Sequence, residues 1–208
     1  MRRGHDVTWC CPGRGEGLPA AADFDALVVY GGAEMLSTDL EKAETAYLRE
    51  EVALVERWLA SDRPFLGFCL GGQIMAAAMG ARVAPHPEGM SHIGYYPVAP
   101  TEAAGDFLDG TTLMYHWHQE GFDLPEGAER VATGPDFPNQ AIRYGKAFGL
   151  QFHPEVDASH YRHWVQEVPD YLGRPGAQPV EEQLAAAPRH DPLTRAWLEA
   201  FLDRWLDL

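Results

Sequence analysis

The chain has 208 residues, enough for one domain of ordinary size, and 46% of them are apolar, so a substantial core can be buried. Its 16 Lys and Arg residues stand against 31 Asp and Glu, a formal net charge of −15, and so acidic a surface argues against nucleic-acid or anionic-membrane partners. Cys10, Cys11 and Cys69 are too few for a disulfide framework.

The few cysteines and the pattern of apolar residues favour a cytoplasmic protein with a free thiol. No apolar run approaches the ~18 residues of a membrane span. No apolar stretch follows the charged residues 1–6, so we expect no signal peptide. The chain has no Cys-x-x-Cys pair, and we predict neither a metal site nor a cofactor.

The first half of the chain alternates predicted strands and helices. Residues 7–10 are a short strand candidate, and residues 26–30 are a continuous apolar run typical of a buried parallel strand. Apolar side chains recur at helical spacing over residues 48–59. Residues 64–68 are predicted as a second buried strand and residues 73–79 as a helix, so this half favours a parallel α/β sheet.

The second half favours short strands separated by turns, an antiparallel extension of the sheet. The predicted strands are 93–98, 112–115, 129–133, 139–144 and 147–152. Residues 173–179 are predicted as a surface loop. Asp191 and Pro192 then have the pattern of an N-cap followed by proline at the first helical position, so the last helix is predicted to begin there. We expect one domain over residues 1–208, with 157–208 as a C-terminal helical appendage.

Gly67-Phe68-Cys69-Leu70-Gly71 lies between a buried strand and a helix, and it is the cysteine form of the Gly-x-Ser-x-Gly nucleophile turn. So tight a turn needs glycines where strand and helix approach each other. The helix N-terminus beside Cys69 would favour a thiolate. On this motif alone, Cys69 is more often a small buried apolar residue than a nucleophile.

His153 and Glu155 follow the last predicted strand, at the edge where parallel sheets carry their sites. A thiol nucleophile needs a base, and the base needs a partner that fixes its tautomer. Pro154 stiffens the turn between them, so a carboxylate–imidazole bond is feasible. Taken alone, the segment could be a turn with an exposed histidine and a solvated glutamate.

Together these motifs resemble the class I, or triad, glutamine amidotransferase family, in its stand-alone, GMP-synthase-like branch. The resemblance covers roughly residues 4–156 and rests on 29–32, 67–73, 115–125, 139–142 and 151–155. It implies a flavodoxin-like fold with a mostly parallel central sheet, helices on both faces and a small antiparallel extension. The DJ-1-like or PfpI-like proteins are a rival family with a similar cysteine turn. Their histidine usually follows the cysteine closely, whereas residue 70 is Leu here and His153 is far along the chain, so this family is disfavoured.

The resemblance also implies a role for each matching residue. Cys69 would attack the amide carbon of glutamine, His153 would act as the base and Glu155 would hold His153. The backbone N–H groups of Gly32 and Leu70 would form the oxyanion hole. The residues that would bind substrate are Gln73, Trp117 and His118.

The sequence departs from the family at three places. Ala33 stands where many members have proline, so the oxyanion loop is predicted to be freer. His92 stands where relatives often have an acidic residue, and we predict a surface histidine there. Family members place a strand and a helix before the segment that matches residues 3–7, so we expect Met1 to be an internal start with about two dozen residues upstream, one strand plus one helix. A cooperatively melting 208-residue monomer would argue against that expectation.

Three functions are compatible with this sequence. The first is hydrolysis of glutamine to glutamate and ammonia through a thioester, with the ammonia available to a partner synthetase chain. The second is a γ-glutamyl hydrolase or peptidase that acts on γ-glutamyl peptides or amines. The third is a non-catalytic binding protein of the same fold, which the complete Cys-His-Glu set disfavours.

Overall fold

The computed structural model describes residues 4–110 and 112–207. The strands are β1 Leu27–Val29, β2 Phe65–Phe68, β3 Val83–Pro85, β4 His92–Pro100, β5 Thr112–His118, β6 Glu120–Phe122, β7 Glu129–Thr133, β8 Ala141–Tyr144 and β9 Ala147–Leu150. The α-helices are α1 Leu36–Asp39, α2 Tyr47–Leu59, α3 Leu70–Ala78, α4 Ala158–Glu167 and α5 Val180–Leu206. Short 3₁₀ helices cover Pro12–Arg14, Ala21–Asp23 and Pro169–Gly173.

Seven strands form one mixed sheet in the order β1-β2-β9-β8-β7-β4-β5, and β3 pairs with β6 in a separate ribbon. The pairs β1–β2 and β2–β9 are parallel, whereas the four pairs from β9 to β5 are antiparallel. These pairings make β8 and β4 run opposite to the other five strands. The predicted flavodoxin-like sheet with an antiparallel extension is therefore confirmed.

Helices cover both faces of this sheet. Leu66 and Phe68 of β2 point into one apolar cluster, which also contains Phe201 and Trp205 of α5. Phe65 belongs to the opposite cluster, with the apolar faces of α2 and α3. The split follows from the two-residue period of a strand, which sends successive side chains to opposite faces.

The predicted strand at residues 7–10 is wrong. Residues 4–11 have no regular secondary structure, and the side chains of Val7 and Trp9 are 48% and 71% exposed. No described strand pairs with this segment, and β1 forms the edge of the described sheet next to β2. Without backbone partners, a short apolar segment gains nothing from an extended conformation. Residues 1–3, where the segment that resembles the family begins, lie outside the described residues.

The predicted start of the last helix is also wrong. Helix α5 begins at Val180 and runs through Pro188 and Pro192. The Asp191 carboxylate does not cap it, because it accepts hydrogen bonds from the Tyr95 hydroxyl and from the Ala158 N–H. A proline inside a helix removes one backbone hydrogen bond, and α5 offsets that loss by burying apolar side chains against the sheet.

The loop at residues 173–179 is tied to the sheet as well as lying at the surface. The Ser91 N–H donates to the Pro175 carbonyl at 2.9 Å. The Gln178 side chain bonds both the N–H and the carbonyl of Tyr95, at 2.9 and 2.7 Å. The loop thereby satisfies backbone groups of β4 that neither neighbouring strand reaches.

Among the described helices, none has the length and apolar character needed to cross a membrane.

Candidate active site

Cys69 lies at the sharp turn between β2 and α3. Its backbone has φ 48° and ψ −106°, a left-handed conformation that costs a non-glycine residue energy. The turn is held because the Cys69 N–H donates to the Leu150 carbonyl of β9 at 2.7 Å. Cys69 is buried, at 5% exposure. The predicted nucleophile turn is therefore formed.

The glycines around Cys69 have a direct steric reason. A Cβ at Gly67 would lie 2.3 Å from the Gly71 carbonyl oxygen, and a Cβ at Gly71 would lie 2.1 Å from the Val29 carbonyl oxygen. Both contacts are with backbone atoms, which cannot rotate away. Strand and helix therefore approach closely enough to place the sulfur over the ends of β1 and β9.

His153 reaches Cys69 from the segment after β9. The backbone N–H of His153 donates to the Tyr115 carbonyl at 2.8 Å, which ties the segment to β5. The imidazole lies beside the Cys69 side chain, since a Cβ at Gly31 would be 2.8 Å from His153 Cε1 and 3.5 Å from Cys69 Cβ. Its Nδ1 lies 2.7 Å from Glu155 Oε1. The structure thus brings together the three residues predicted as nucleophile, base and orienting carboxylate.

The charges around His153 favour its protonated form. Burial opposes protonation, but the charges of Glu155 and Cys69 and their hydrogen bonds outweigh it and raise the pKa of His153 to about 10. The edge of the Trp164 ring packs against the imidazole, with centroids 5.3 Å apart. A protonated imidazole therefore lies beside the Cys69 side chain.

Gly32 and Leu70, the predicted oxyanion-hole residues, both line the cleft that contains Cys69. Leu70 is the first residue of α3, where a backbone N–H has no acceptor within the helix. The Leu70 side chain and the Glu34 carboxylate lie close to Gly32, within 2.8 and 2.4 Å of where a Cβ would be. Glu34 is held in turn by the Tyr47 hydroxyl.

The three residues predicted to bind substrate also line this cleft. Gln73 is buried, and its side-chain nitrogen bonds the Glu120 carbonyl at 3.2 Å and Gln151 Oε1 at 3.3 Å. The Trp117 carbonyl lies 3.7 Å from the Cys69 sulfur. The described residues that line the cleft are Gly32, Ala33, Glu34, Met35, Cys69, Leu70, Gln73, Trp117, His118, Gln119, Glu120, Val168 and Tyr171.

Several cleft residues were missed by sequence reasoning. Gln151 donates from Nε2 to the Cys69 sulfur at 3.7 Å, and its position two residues before His153 was a usable signal. Val168 and Tyr171 come from the C-terminal segment. Nothing in the local sequence indicates that this segment folds back over the cleft.

His92 is not a surface residue, so that prediction is wrong. It is fully buried, and its neighbours include His116 and His118 of the paired strand β5. One ring nitrogen from each of the three lies within 4.8 Å of the others, the arrangement of a possible metal site. Residues 116–118 read His-Trp-His, a ligand pattern that the prediction of no metal site overlooked.

Comparison with known proteins points to one family. The model of the class-I glutamine amidotransferases matches residues 14–167. The glutamine amidotransferase-like protein YfeJ of Salmonella typhimurium is 34% identical over 195 residues, which cover 88% of this chain and 80% of YfeJ. A glutamine-hydrolyzing GMP synthase subunit from Ignicoccus hospitalis is 28% identical over 144 residues, 66% of this chain and 70% of that protein. The crystal structure of a glutamine amidotransferase from Thermotoga maritima superposes with a TM-score of 0.83 at 31% identity, covering 95% of this chain and 85% of that one.

Proposed function

Because the chain belongs to the class-I glutamine amidotransferase family, we propose that it hydrolyses the side-chain amide of glutamine through a thioester on Cys69. The observation that carries this proposal is the position of the His153 imidazole, beside the Cys69 side chain and hydrogen-bonded to the Glu155 carboxylate. Nucleophile, base and orienting group are then in the order that thiol catalysis requires.

The proposed reaction begins from the thiolate–imidazolium pair. The Cys69 sulfur attacks the amide carbon, and the carbonyl oxygen becomes an oxyanion. His153 donates its proton to the departing nitrogen, so ammonia leaves and a thioester remains. His153 then takes a proton from water, which attacks the thioester. Collapse of the second oxyanion breaks the C–S bond and releases glutamate, and the thiolate–imidazolium pair is restored.

Two backbone N–H groups are proposed to stabilise the oxyanion. The Leu70 N–H lies at the start of α3, next to the sulfur, where the helix dipole adds to its effect. The Gly32 N–H is the proposed second donor, from the loop after β1. Each such donor typically lowers the barrier by ~3 kcal/mol.

The charge of the cleft favours a cationic group on the substrate. Its lining includes the carboxylates of Glu34 and Glu120 and, among the described lining residues, no Lys or Arg. The α-ammonium group of glutamine could bind near these carboxylates. We propose Gln73, Trp117 and His118 as further contacts to the substrate, since all three line the cleft.

The same charge supports a second candidate, a hydrolase of γ-glutamyl amides whose leaving amine is cationic. The Cys-His-Glu chemistry is unchanged, but a protonated amine leaves in place of ammonia. The acidic residues that line the cleft would favour such a substrate over a neutral one.

A partner chain is proposed as the user of any ammonia released. The relative from Ignicoccus hospitalis is named as one subunit of a GMP synthase. By analogy, an acceptor reaction for this chain would lie on another polypeptide. Added partner should then raise the rate of glutamine hydrolysis.

The test is a substrate panel that measures glutamate together with ammonia or amine release from glutamine, γ-glutamyl peptides and γ-glutamyl diamines. We expect Cys69→Ala to lower kcat/KM for the best substrate by at least ~10²-fold, because it removes the nucleophile. Cys10→Ala is the matched control and should keep wild-type kinetics, since Cys10 lies outside the cleft.

A glutamine-mimic electrophile provides a second measurement. We expect covalent labelling of the wild type at Cys69 and none of Cys69→Ala. A folded wild-type protein that neither turns over the panel nor takes the label would reject the hydrolase and leave the non-catalytic binding protein.

A further inference from the structure

Three buried histidines meet beside the cleft, outside the Cys-His-Glu set. His92 and His118 are directly opposite each other in the β4–β5 pairing, and His116 is opposite Gly94. His116 and His118, two residues apart on one strand, share a face of the sheet. The space where a Gly94 Cβ would lie is occupied by the Gln178 side chain, whose Oε1 would be 2.3 Å away. The three side chains are 0%, 0% and 5% exposed for His92, His116 and His118.

The hydrogen bonds of this cluster fix two ring tautomers. His92 Nε2 lies 3.0 Å from Asp136 Oδ2, and His118 Nδ1 lies 2.9 Å from the Glu120 carbonyl oxygen. Carboxylate and carbonyl oxygens can only accept, so these two nitrogens carry the protons. The lone pairs of His92 Nδ1 and His118 Nε2 are therefore directed away from those partners and are available to a ligand.

The remaining nitrogens are poorly satisfied for groups so deeply buried. Within the described residues, His92 Nδ1 and His116 Nε2 have no hydrogen-bond partner. The other His116 nitrogen, Nδ1, faces His118 Nε2 at 3.2 Å. Buried polar atoms without partners are costly and rare in folded proteins. A bound ion that accepts the lone pair of His92 Nδ1 would remove the cost at that atom.

We propose that His92, His116 and His118 bind one divalent transition-metal ion of the zinc type. Imidazole is the ligand that Zn²⁺ and its neighbours in the first transition series share. One nitrogen from each ring already lies within 4.8 Å of the other two. Two nitrogens on a tetrahedral Zn²⁺ ion are about 3.4 Å apart, close to the 3.2 Å between His116 and His118.

The surroundings have the features of a metal site. Asp136 and the Glu120 carbonyl hold the outer nitrogens of two ligands, the contacts that orient histidines around metals. Asp136 has φ 57°, an uncommon conformation that presents its carboxylate to His92. Aromatic rings surround the cluster. Tyr96 stacks on His92 with ring centroids 3.8 Å apart, and Phe137 and His118 are in an edge-to-face arrangement with centroids 4.6 Å apart.

Burial weakens proton binding throughout the cluster. It lowers the pKa of His116 and His118 well below the usual histidine value, and the His92 and His153 imidazoles lower both further. Burial lowers the pKa of His92 as well, against the opposing effect of Asp136. Because His118 also lines the cleft, the ion would fix one wall of the substrate pocket.

The test is metal binding by the full chain after chelator treatment and dialysis. In equilibrium dialysis against Zn²⁺ or Co²⁺, we expect about one ion retained per chain. The Co²⁺ form should show visible bands of a tetrahedral site without the thiolate charge-transfer band, which separates histidine ligation from binding at Cys69. Cys69→Ala should retain the ion.

His116→Asn should lose the retained ion, whereas His163→Asn, which changes an exposed histidine on α4, should keep it. Asp136→Asn changes no ligand and leaves the three buried rings in place; it should weaken Zn²⁺ affinity about 10- to 100-fold. Zn²⁺ should also raise the melting temperature of the wild type and not that of folded His116→Asn. Failure of the wild type to retain any ion, or retention that His116→Asn and Asp136→Asn leave unchanged, would overturn the site and identify the cluster as a neutral hydrogen-bonded core.

Discussion

The residue that the cleft depends on most is His153, because it faces a sulfur on one side and a carboxylate on the other. The two partners come from different parts of the chain, Cys69 from the β2–α3 turn and Glu155 from the same segment as the histidine. Their charges raise the pKa of His153 to about 10 against the effect of burial. A proton is therefore held in the folded state over a pH range in which an unfolded chain would release it.

This proton predicts a pH dependence of stability. The unfolded histidine loses its proton near its ordinary value of 6.5, whereas the folded one keeps it to about 10. The stabilisation from His153 is fully present below about pH 6.5 and is lost as the pH rises through about 10. We expect the free energy of unfolding, from urea denaturation, to fall with pH over this window.

Glu155→Gln isolates that contribution, because it removes the larger of the charges that raise the pKa of His153. The variant should show a shallower fall between about pH 7 and 10 than the wild type. Glu129→Gln is the control. The Glu129 side chain is 56% exposed and its Oε2 lies 2.8 Å from Arg143 Nη2 at the surface. The stability of this variant should therefore fall with pH as steeply as that of the wild type. Equal slopes in wild type and Glu155→Gln would contradict the raised pKa.

The β2–α3 turn positions the sulfur, and its shape depends on glycines at positions where no Cβ would fit. Gly67 and Gly71 let strand and helix approach until the backbones touch, and Cys69 takes the left-handed conformation between them. The local sequence was enough to predict this turn, because glycines on both sides of Cys69 permit the close approach of strand and helix that the turn needs.

Gly71→Ala should therefore destabilise the protein and displace the sulfur. Its new Cβ would lie 2.1 Å from the Val29 carbonyl oxygen, so β1 or α3 must shift. We expect a loss of at least ~1–3 kcal/mol in the free energy of unfolding, as for other overpacked sites, together with slower labelling of Cys69. Gly17→Ala is the control, since a Cβ there has no atom within 4 Å. A Gly71→Ala variant with wild-type melting would show that the turn can relax.

At the scale of the whole molecule, the C-terminal segment is part of the fold rather than an appendage on it. Phe201 and Trp205 of α5 belong to the same core cluster as Leu66 and Phe148 of the central strands. The 3₁₀ helix Pro169–Gly173 supplies Tyr171 to the cleft. The core and the lining of the cleft therefore both include residues after 157.

Phe201→Ala tests that integration. The ring is 3% exposed and packs edge-on against Phe107 and Phe148, with centroids 5.6 and 5.1 Å away. We expect a loss of about 3–5 kcal/mol in the free energy of unfolding within a single transition. Leu193→Ala, on the same helix but 59% exposed, should cost less than ~0.5 kcal/mol. A separate early transition for α5, with the sheet intact, would contradict the single core.

The sequence by itself determined the elements whose signals are local. Buried strands such as β2 need continuous apolar runs, amphipathic helices such as α2 need a 3.6-residue period, and the Cys69 turn needs its glycines. These patterns, with the His153 and Glu155 motif, carried the resemblance to the family, and the resemblance implied the fold and the three side chains that the structure brings together.

Only the tertiary structure decided the features that depend on distant partners. Residues 7–10 have a strand-like composition but no neighbouring strand among the described residues, and the proline-containing start of α5 is helical because it packs against the sheet. His92 has no local signal of burial, and it becomes buried because β4 pairs with β5 in a register that places it opposite His118. Register and packing join residues far apart in the chain, so no local pattern could have placed the three histidines together.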